Sequence, residues 1–272
     1  MCQAGLRQYN HSFKLPHPSR SYNTTVNYRR KILHTTSGHP GRWNDKSIVM
    51  YDKLACDLLH NNVFSSQSFF LYEPTPDGKY LKRWYSGGYL IVDNGYLDWP
   101  VLIPPLKSYI NRKELRWSKW VESLRKDVEC LFGIQQIRFK ILRSGIMVHG
   151  VSVADKIWLT CSALHNFLID ENGDEPWDKH MNVTSDYATN INMVIPCTTD
   201  ANGITISVNS LSRNDFREKL INHFDILWKH GMIKWPSRSG LGDPPSLYYK
   251  QYKYNSTNNF KLNQNQIILF QL

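Results

Sequence analysis

Two carboxylates at the ends of apolar runs are the residues of this chain best placed to do chemistry. Asp93 closes the first five residues of YLIVDNGY, a run that reads as a fully buried strand, and a carboxylate at such a tip is costly unless something pairs with it. Glu129 stands in SLRKDVECLFG, one residue from the apolar stripe of a helix. Carboxylates brought together from a strand tip and a helix face can hold Mg²⁺ or Mn²⁺, and two such ions stabilise the attacking and leaving oxygens of phosphoryl transfer. Each residue also has a local reading. Asp93 suits an Asx turn before Asn94-Gly95, and Glu129 suits a surface ion pair with Arg125 four residues earlier. Asp45, in GRWND, is either a charge at a helix N-terminus or an accompanying metal ligand. Cys161 and His165 share a helical face, but two ligands do not make a zinc site, so they read as core.

The elements that must position these residues follow from periodicity. SYNTTVNYR alternates as a strand, the Arg29-Arg30 corner reverses it, and KILHTT returns as a second strand. Asn44 caps a helix that the spacing of Ile48, Tyr51, Ala55, Leu58 and Leu59 carries to about Asn61. The segment from Phe64 to Ser86, with EPTPDGK inside it, reads as mostly loop. The buried strand Tyr89 to Asp93 and the short strand VLIPP come next. A helix from Asn111 to Phe132 then turns Trp117, Trp120, Val121, Leu124, Val128 and Leu131 inward. Ser152 and Asp155 suggest a capping box for a helix from Val153 to Asp170, and a last helix spans Asn214 to His230. Trp43, Trp117 and Trp120 either stack on bases or fill the core.

Charge is distributed unevenly. Seven Lys or Arg and no acid precede Asp45, while from Leu106 to Arg143 ten basic residues face four acidic ones. The stretch from Ser144 to Ser210 reverses this, with eight acids and two lysines. The two basic segments, with Arg29, Arg30, Lys31, Arg42, Arg112, Lys113, Arg116, Lys119, Lys126 and Arg138, suit a polyanion such as DNA, or a solubilising surface. Five scattered cysteines without a CxxC pair fit a reducing compartment, and no run has the length of a membrane helix. This divides the chain into a basic extension (1–20), an α/β core (21–170), an acidic linker (171–210), a helix (211–235) and an irregular tail (236–272).

Four blocks, RRKILHTTSGHPGRWNDKSIVMYD, YLIVDNGYLDWPVLIPP, SLRKDVECLFGIQQIRFKILRSGI and VADKIWLTCSALHNFLID, resemble successive blocks of the Harbinger-type (PIF/Harbinger) DDE transposases and related DDE superfamily endonucleases. The likeness covers roughly residues 20–170, with a fainter match at HFDILWKHGMIKWP. It implies an RNase H-like core, a mixed sheet flanked by helices, that binds Mg²⁺ or Mn²⁺ and cuts DNA. The family's second and third acids carry over to Asp93 and Glu129. Its first acid lies in a DGTH-like block on the first strand, and no such block occurs between Met1 and Arg20. The resemblance therefore implies an N-terminally truncated or decayed core, with one sheet position vacant or filled by another segment. It also implies a nuclear protein acting on transposon DNA with a Myb-like partner. The expected function is a metal-dependent endonuclease and strand transferase, inactive as given; the alternative is a catalytically silent DNA-binding or scaffolding protein.

Overall fold

The reversal at Arg29-Arg30 is built as expected: Arg30 adopts a left-handed φ of 59°, and its N–H donates to Asn27 O at 2.9 Å. The computed structural model describes residues 19–27, 29–60, 63–144, 150–172, 195–199, 203–233 and 268–271. In chain order these form β1 (Arg20–Ser21), β2 (Thr24–Val26), β3 (Ile32–Thr35) and β4 (His39–Pro40), then α1 (Asp45–Val49) and α2 (Lys53–Leu59). Next come β5 (Ser68–Pro74), β6 (Tyr80–Ser86), β7 (Tyr89–Ile91) and β8 (Leu102–Ile103), followed by α3 (Arg112–Arg138), α4 (Lys140–Ser144) and α5 (Val151–Asn172). The described residues close with β9 (Cys197–Thr199), β10 (Thr205–Ser207), α6 (Arg213–Lys229) and β11 (Ile268–Gln271).

The architecture is mixed α/β. A five-stranded sheet has the order β3-β2-β11-β7-β8, antiparallel from β3 to β11 and parallel from β11 to β8. A second sheet is built on the antiparallel pair β5 and β6, to which β9 and β10 add in parallel. Leu90 and Val92 are both fully buried, as the apolar run requires. Trp117, Val121, Val128 and Leu131 of α3, with Phe216, Leu220 and Phe224 of α6, join Leu90, Ile91, Leu102 and Ile103 in one core. Each such side chain contributes about 1.5–3 kcal/mol on burial, so α3 is anchored along its length and its positions relative to β7 are set. No helix among the described residues is long and apolar enough to cross a membrane.

Polar side chains close the sheet edges. Asn166 of α5 accepts from the Ile32 N–H and donates to the Ile32 carbonyl, both at 2.8 Å, so its amide imitates a neighbouring strand. On β5, the Tyr72 N–H donates to Nδ1 of His223 on α6 at 2.9 Å.

Several sequence expectations are corrected. The Phe64–Ser86 stretch is no loop but the longest hairpin described, closing at Thr75–Lys79 with Gly78 at φ 72°. The helix expected from Asn44 to Asn61 breaks in two because Asp52 caps a second helix, accepting from the Ala55 N–H at 3.1 Å. Ser152 and Asp155 form no capping box; they lie inside α5, where Asp155 accepts from Arg20 and from the Tyr22 hydroxyl at 2.9 Å. The acidic linker contains β9 and β10, and the tail contains β11. The α3 helix extends past Phe132 to Arg138. The basic extension through Pro18, most of the linker and residues 234–267 lie outside the described residues.

Candidate functional site

Asp93 emerges two residues past the end of β7, at the carboxyl edge of the parallel strands, the edge where open α/β sheets bind their ligands. Asp93 Oδ1 accepts from the Asn94 N–H at 3.0 Å, one residue on rather than the two that an Asx turn spans, and the turn closes through the Asp93 carbonyl, which accepts from the Tyr96 N–H at 3.4 Å. Its other oxygen points elsewhere, lying 3.8 Å from Nη1 of Arg125 on α3. That same nitrogen donates to Glu129 Oε1 at 2.7 Å, the expected spacing of a helical ion pair. One guanidinium therefore spans the strand tip and the helix face. The Arg125 side chain is 12% exposed, whereas those of Asp93 and Glu129 are 44% and 49% exposed. The cation is held from beneath, and the carboxylates remain open to solvent.

Asp45 lies on the same turn. A Cβ added at Gly95 would stand 2.6 Å from Asp45 Oδ2, so glycine is what allows this carboxylate to close on the loop after Asp93. Asp45 also occupies the first turn of α1, where Asn44 caps by accepting from the Ser47 N–H at 2.9 Å. Burial, and then the charges of Asp45, Asp52 and Asp93, push the Tyr96 phenol well above its usual range. Tyr96 therefore stays protonated as a donor, and its hydroxyl donates to Asn23 Oδ1 at 2.8 Å.

Beneath this lies a buried network that sequence reasoning missed. Asp52 is fully buried and accepts from the Asn23 amide at 2.8 Å, while His34 Nε2 stands 3.2 Å away. Asn23 thus joins Tyr96 to Asp52 and ties β2 to both α2 and the Asp93 turn. The signal was available: Asp52 in YDKLAC is a helix N-cap pattern hidden inside one apparent apolar period. Arg125 was visible only as the local partner of Glu129.

The basic residues divide. Arg116 donates to Asp225 of α6 at 2.8 Å and lies over the Trp228 ring, and Lys113 donates to Asn222 at 2.8 Å, so both serve the contact between α3 and α6. Arg30 pairs with Asp127 at 3.4 Å and Lys31 with Asp170 at 2.7 Å. Arg138 donates to His165 Nδ1 at 3.0 Å, and His165 Nε2–H in turn donates to the Arg30 carbonyl at 3.0 Å. Burial holds that imidazole below its usual range, so His165 is a neutral core residue rather than a ligand beside Cys161. Lys119 stands 3.9 Å from Glu122. Arg42, Arg112 and Lys126 are exposed, and Arg29 is half-buried. Trp117 is buried, Trp120 packs on Phe224, and Trp43 stacks between His39 and Tyr51.

A family model described as plant transposon protein matches residues 6–176, more than half of the chain and all of the elements that carry Asp45, Asp93, Arg125 and Glu129. No curated protein and no solved structure matches the chain.

Proposed function

The chain belongs to the plant transposon protein family, and we propose that it is a transposase-derived DNA-binding protein with a Harbinger-type nuclease centre closed by its own arginine. The observation that carries this reading is the position of Arg125 between Asp93 and Glu129. Two carboxylates drawn to one point need a cation, and in a metal-dependent nuclease that cation is Mg²⁺ or Mn²⁺. The sheet order supports the same reading. The resemblance implies an RNase H-like core, a mixed sheet flanked by helices, and the five-stranded sheet is mixed.

The donor chemistry fits one hard divalent ion. Asp93 Oδ2 and Glu129 Oε1 would hold it, with the Asp45 carboxylate against the same turn, and the ion would polarise a phosphate and activate water. Arg125 occupies the same electrostatic position and must be displaced before the ion is held. Among the described residues, no three His, Cys, Asp or Glu side chains stand together as a metal-binding group. The reading is therefore of weak binding to a single ion and slow or absent cutting. DNA is bound through its phosphates by the exposed Arg42, Arg112, Lys119 and Lys126, without reading sequence. Nuclear residence and a Myb-like partner belong to the same proposal.

The test uses the full chain with Mn²⁺ and supercoiled plasmid, alongside Asp93→Asn and Glu129→Gln. The expected result is a duplex-binding protein whose nicking rate equals that of both variants. Nicking by the full chain that either substitution abolishes would instead establish a working nuclease. Absence of duplex binding at low salt would favour a scaffolding role.

A further inference from the structure

The centre of the five-stranded sheet is supplied by the residues most remote from it in sequence. Strand β11, Ile268–Gln271, lies between β2 and β7, with Phe270 opposite Val26 and Gln271 opposite Thr25 on one side. On the other side Ile268, Leu269 and Phe270 run parallel to Tyr89, Leu90 and Ile91. The neighbours it separates are core: Thr24, Thr25, Val26 and Leu90 are fully buried, and Ile91 is 4% exposed. Both would present unpaired backbone N–H and C=O groups to the interior if nothing lay between them, and buried backbone groups of this kind are almost always paired. The fold therefore contains a slot that demands a strand.

What fills the slot is a short segment of four residues. Two residue pairs join β11 to β2 and three join it to β7, whereas β5 and β6 share seven. Ile268, Leu269 and Phe270 are apolar residues with a high strand preference, the composition that a central strand favours. Beside it, the buried Thr25 hydroxyl has no hydrogen-bond partner among the described residues.

We propose that the slot between β2 and β7 is a strand-acceptor site, that residues 268–271 are its exchangeable occupant, and that the same segment of a second copy enters it in trans. Strand addition of this kind draws affinity from main-chain hydrogen bonds, so it depends on an apolar, extended segment more than on particular side chains. The consequence reaches the acid pair, since β7 leads directly into Asp93 and β11 is one of its two neighbours. The inference rests on the sheet alone, so it stands or falls independently of metal binding and of DNA cleavage.

The test keeps the chain at full length. Leu269→Pro removes a backbone donor from the strand and cannot be accommodated at the centre of a sheet. A fluorescent peptide of residues 264–272 is titrated onto the wild type and onto this variant, with a Leu269→Pro peptide as control. The expected result is saturable binding to the variant at least tenfold tighter than to the wild type, and no binding of the control peptide. In parallel, Val26→Cys/Phe270→Cys places two cysteines at directly opposed positions, within the Cα separation a disulfide spans. That pair should cross-link on oxidation, and two singly substituted chains refolded together should cross-link into a dimer. If Leu269→Pro fails to fold, the cysteine pair decides alone. The inference is overturned if the double-cysteine chain does not cross-link, or if the folded variant ignores the wild-type peptide and the mixed chains stay monomeric.

Discussion

Lowering the pH from 7 to 5 should unlatch the α6 helix from the hairpin, and His223 sets the size of the effect. Its Nδ1 accepts the Tyr72 N–H at 2.9 Å, its ring stacks on Tyr72 with centroids 5.5 Å apart, and the residue is 9% exposed. A backbone N–H can only donate, so Nδ1 carries the lone pair and the ring must be neutral with its proton on Nε2. Burial lowers its pKa from 6.5 to about 4. Because the folded value is the lower one, the stabilisation is fully present above pH 6.5 and is lost as pH falls towards 4. The gap corresponds to about 3.4 kcal/mol once both forms are titrated, of which roughly 2 kcal/mol is gone at pH 5. For a domain of ordinary stability, about 5–15 kcal/mol, this is a large fraction.

The assay is urea denaturation at pH 7, 6 and 5 of the wild type and of His223→Asn, whose Oδ1 can replace Nδ1 as acceptor without titrating. The variant should start about 1 kcal/mol less stable from lost packing, and its loss between pH 7 and 5 should be smaller than that of the wild type by roughly 2 kcal/mol. Other groups titrate in both proteins and cancel in the comparison. Parallel pH profiles, or a His223 resonance that titrates near 6.5 in the folded protein, would refute the reasoning.

Other substitutions separate the roles assigned above. Arg125→Met removes a cation from between two half-exposed carboxylates, and Mn²⁺ affinity by calorimetry should rise about tenfold, the roughly 1.4 kcal/mol left of a close charge pair after solvent screening; an unchanged affinity would mean the arginine does not compete with the ion. Arg112→Ala with Lys126→Ala should leave stability within about 0.5 kcal/mol and lower the salt dependence of duplex binding, read by fluorescence anisotropy. Arg116→Ala should instead cost about 1–3 kcal/mol in thermal melts, because it strips Asp225 of a partner inside the contact between α3 and α6. Asp52→Ala should cost about 3–5 kcal/mol, since it removes a helix cap and strands the Asn23 amide in the interior; a loss under 1 kcal/mol would show that the network is dispensable.

The strands nearest the acids were legible because burial on both faces writes a continuous apolar run, as in Tyr89 to Val92. The hairpin was not, although its turn residues Thr75-Pro76-Asp77-Gly78 are plain. Phe69, Leu71 and Tyr85 point into the core, while Phe70, Tyr72 and Trp84 pack on each other outside with Lys82 over the Phe70 ring. With aromatic residues on both faces, the two-residue alternation that marks a strand disappears. The break between α1 and α2 was missed for the opposite reason: Asp52 sits where a polar residue would in one continuous helix, and only its cap bond to Ala55 betrays the interruption. Strand β11 has a readable composition, but its neighbours lie at residues 24–26 and 89–91, and no local pattern encodes a pairing at that distance.

The candidate site shows why two competing local readings can both hold and still not exhaust what a residue does. Asp93 is a turn residue whose Oδ1 accepts the N–H of Asn94, and Glu129 is one half of an ordinary helical ion pair; neither observation alone points past the surface. Yet both side chains also share Arg125, whose Nη1 lies 3.8 Å from Asp93 Oδ2 and 2.7 Å from Glu129 Oε1, and the core decides how the two elements that carry them stand. Val128 and Leu131, fully buried on either side of Glu129, fix the rotation of α3, while fully buried Leu90 and Val92 fix the tip of β7. With both elements pinned, the Arg125 guanidinium stands between the two side chains. The chain thus provides one cation for both half-exposed carboxylates from its own helix. On the metal-binding reading proposed above, a divalent ion would compete with a tethered arginine whose effective concentration does not fall on dilution, so the charge at position 125, more than the two acids, is what the Arg125→Met measurement reads.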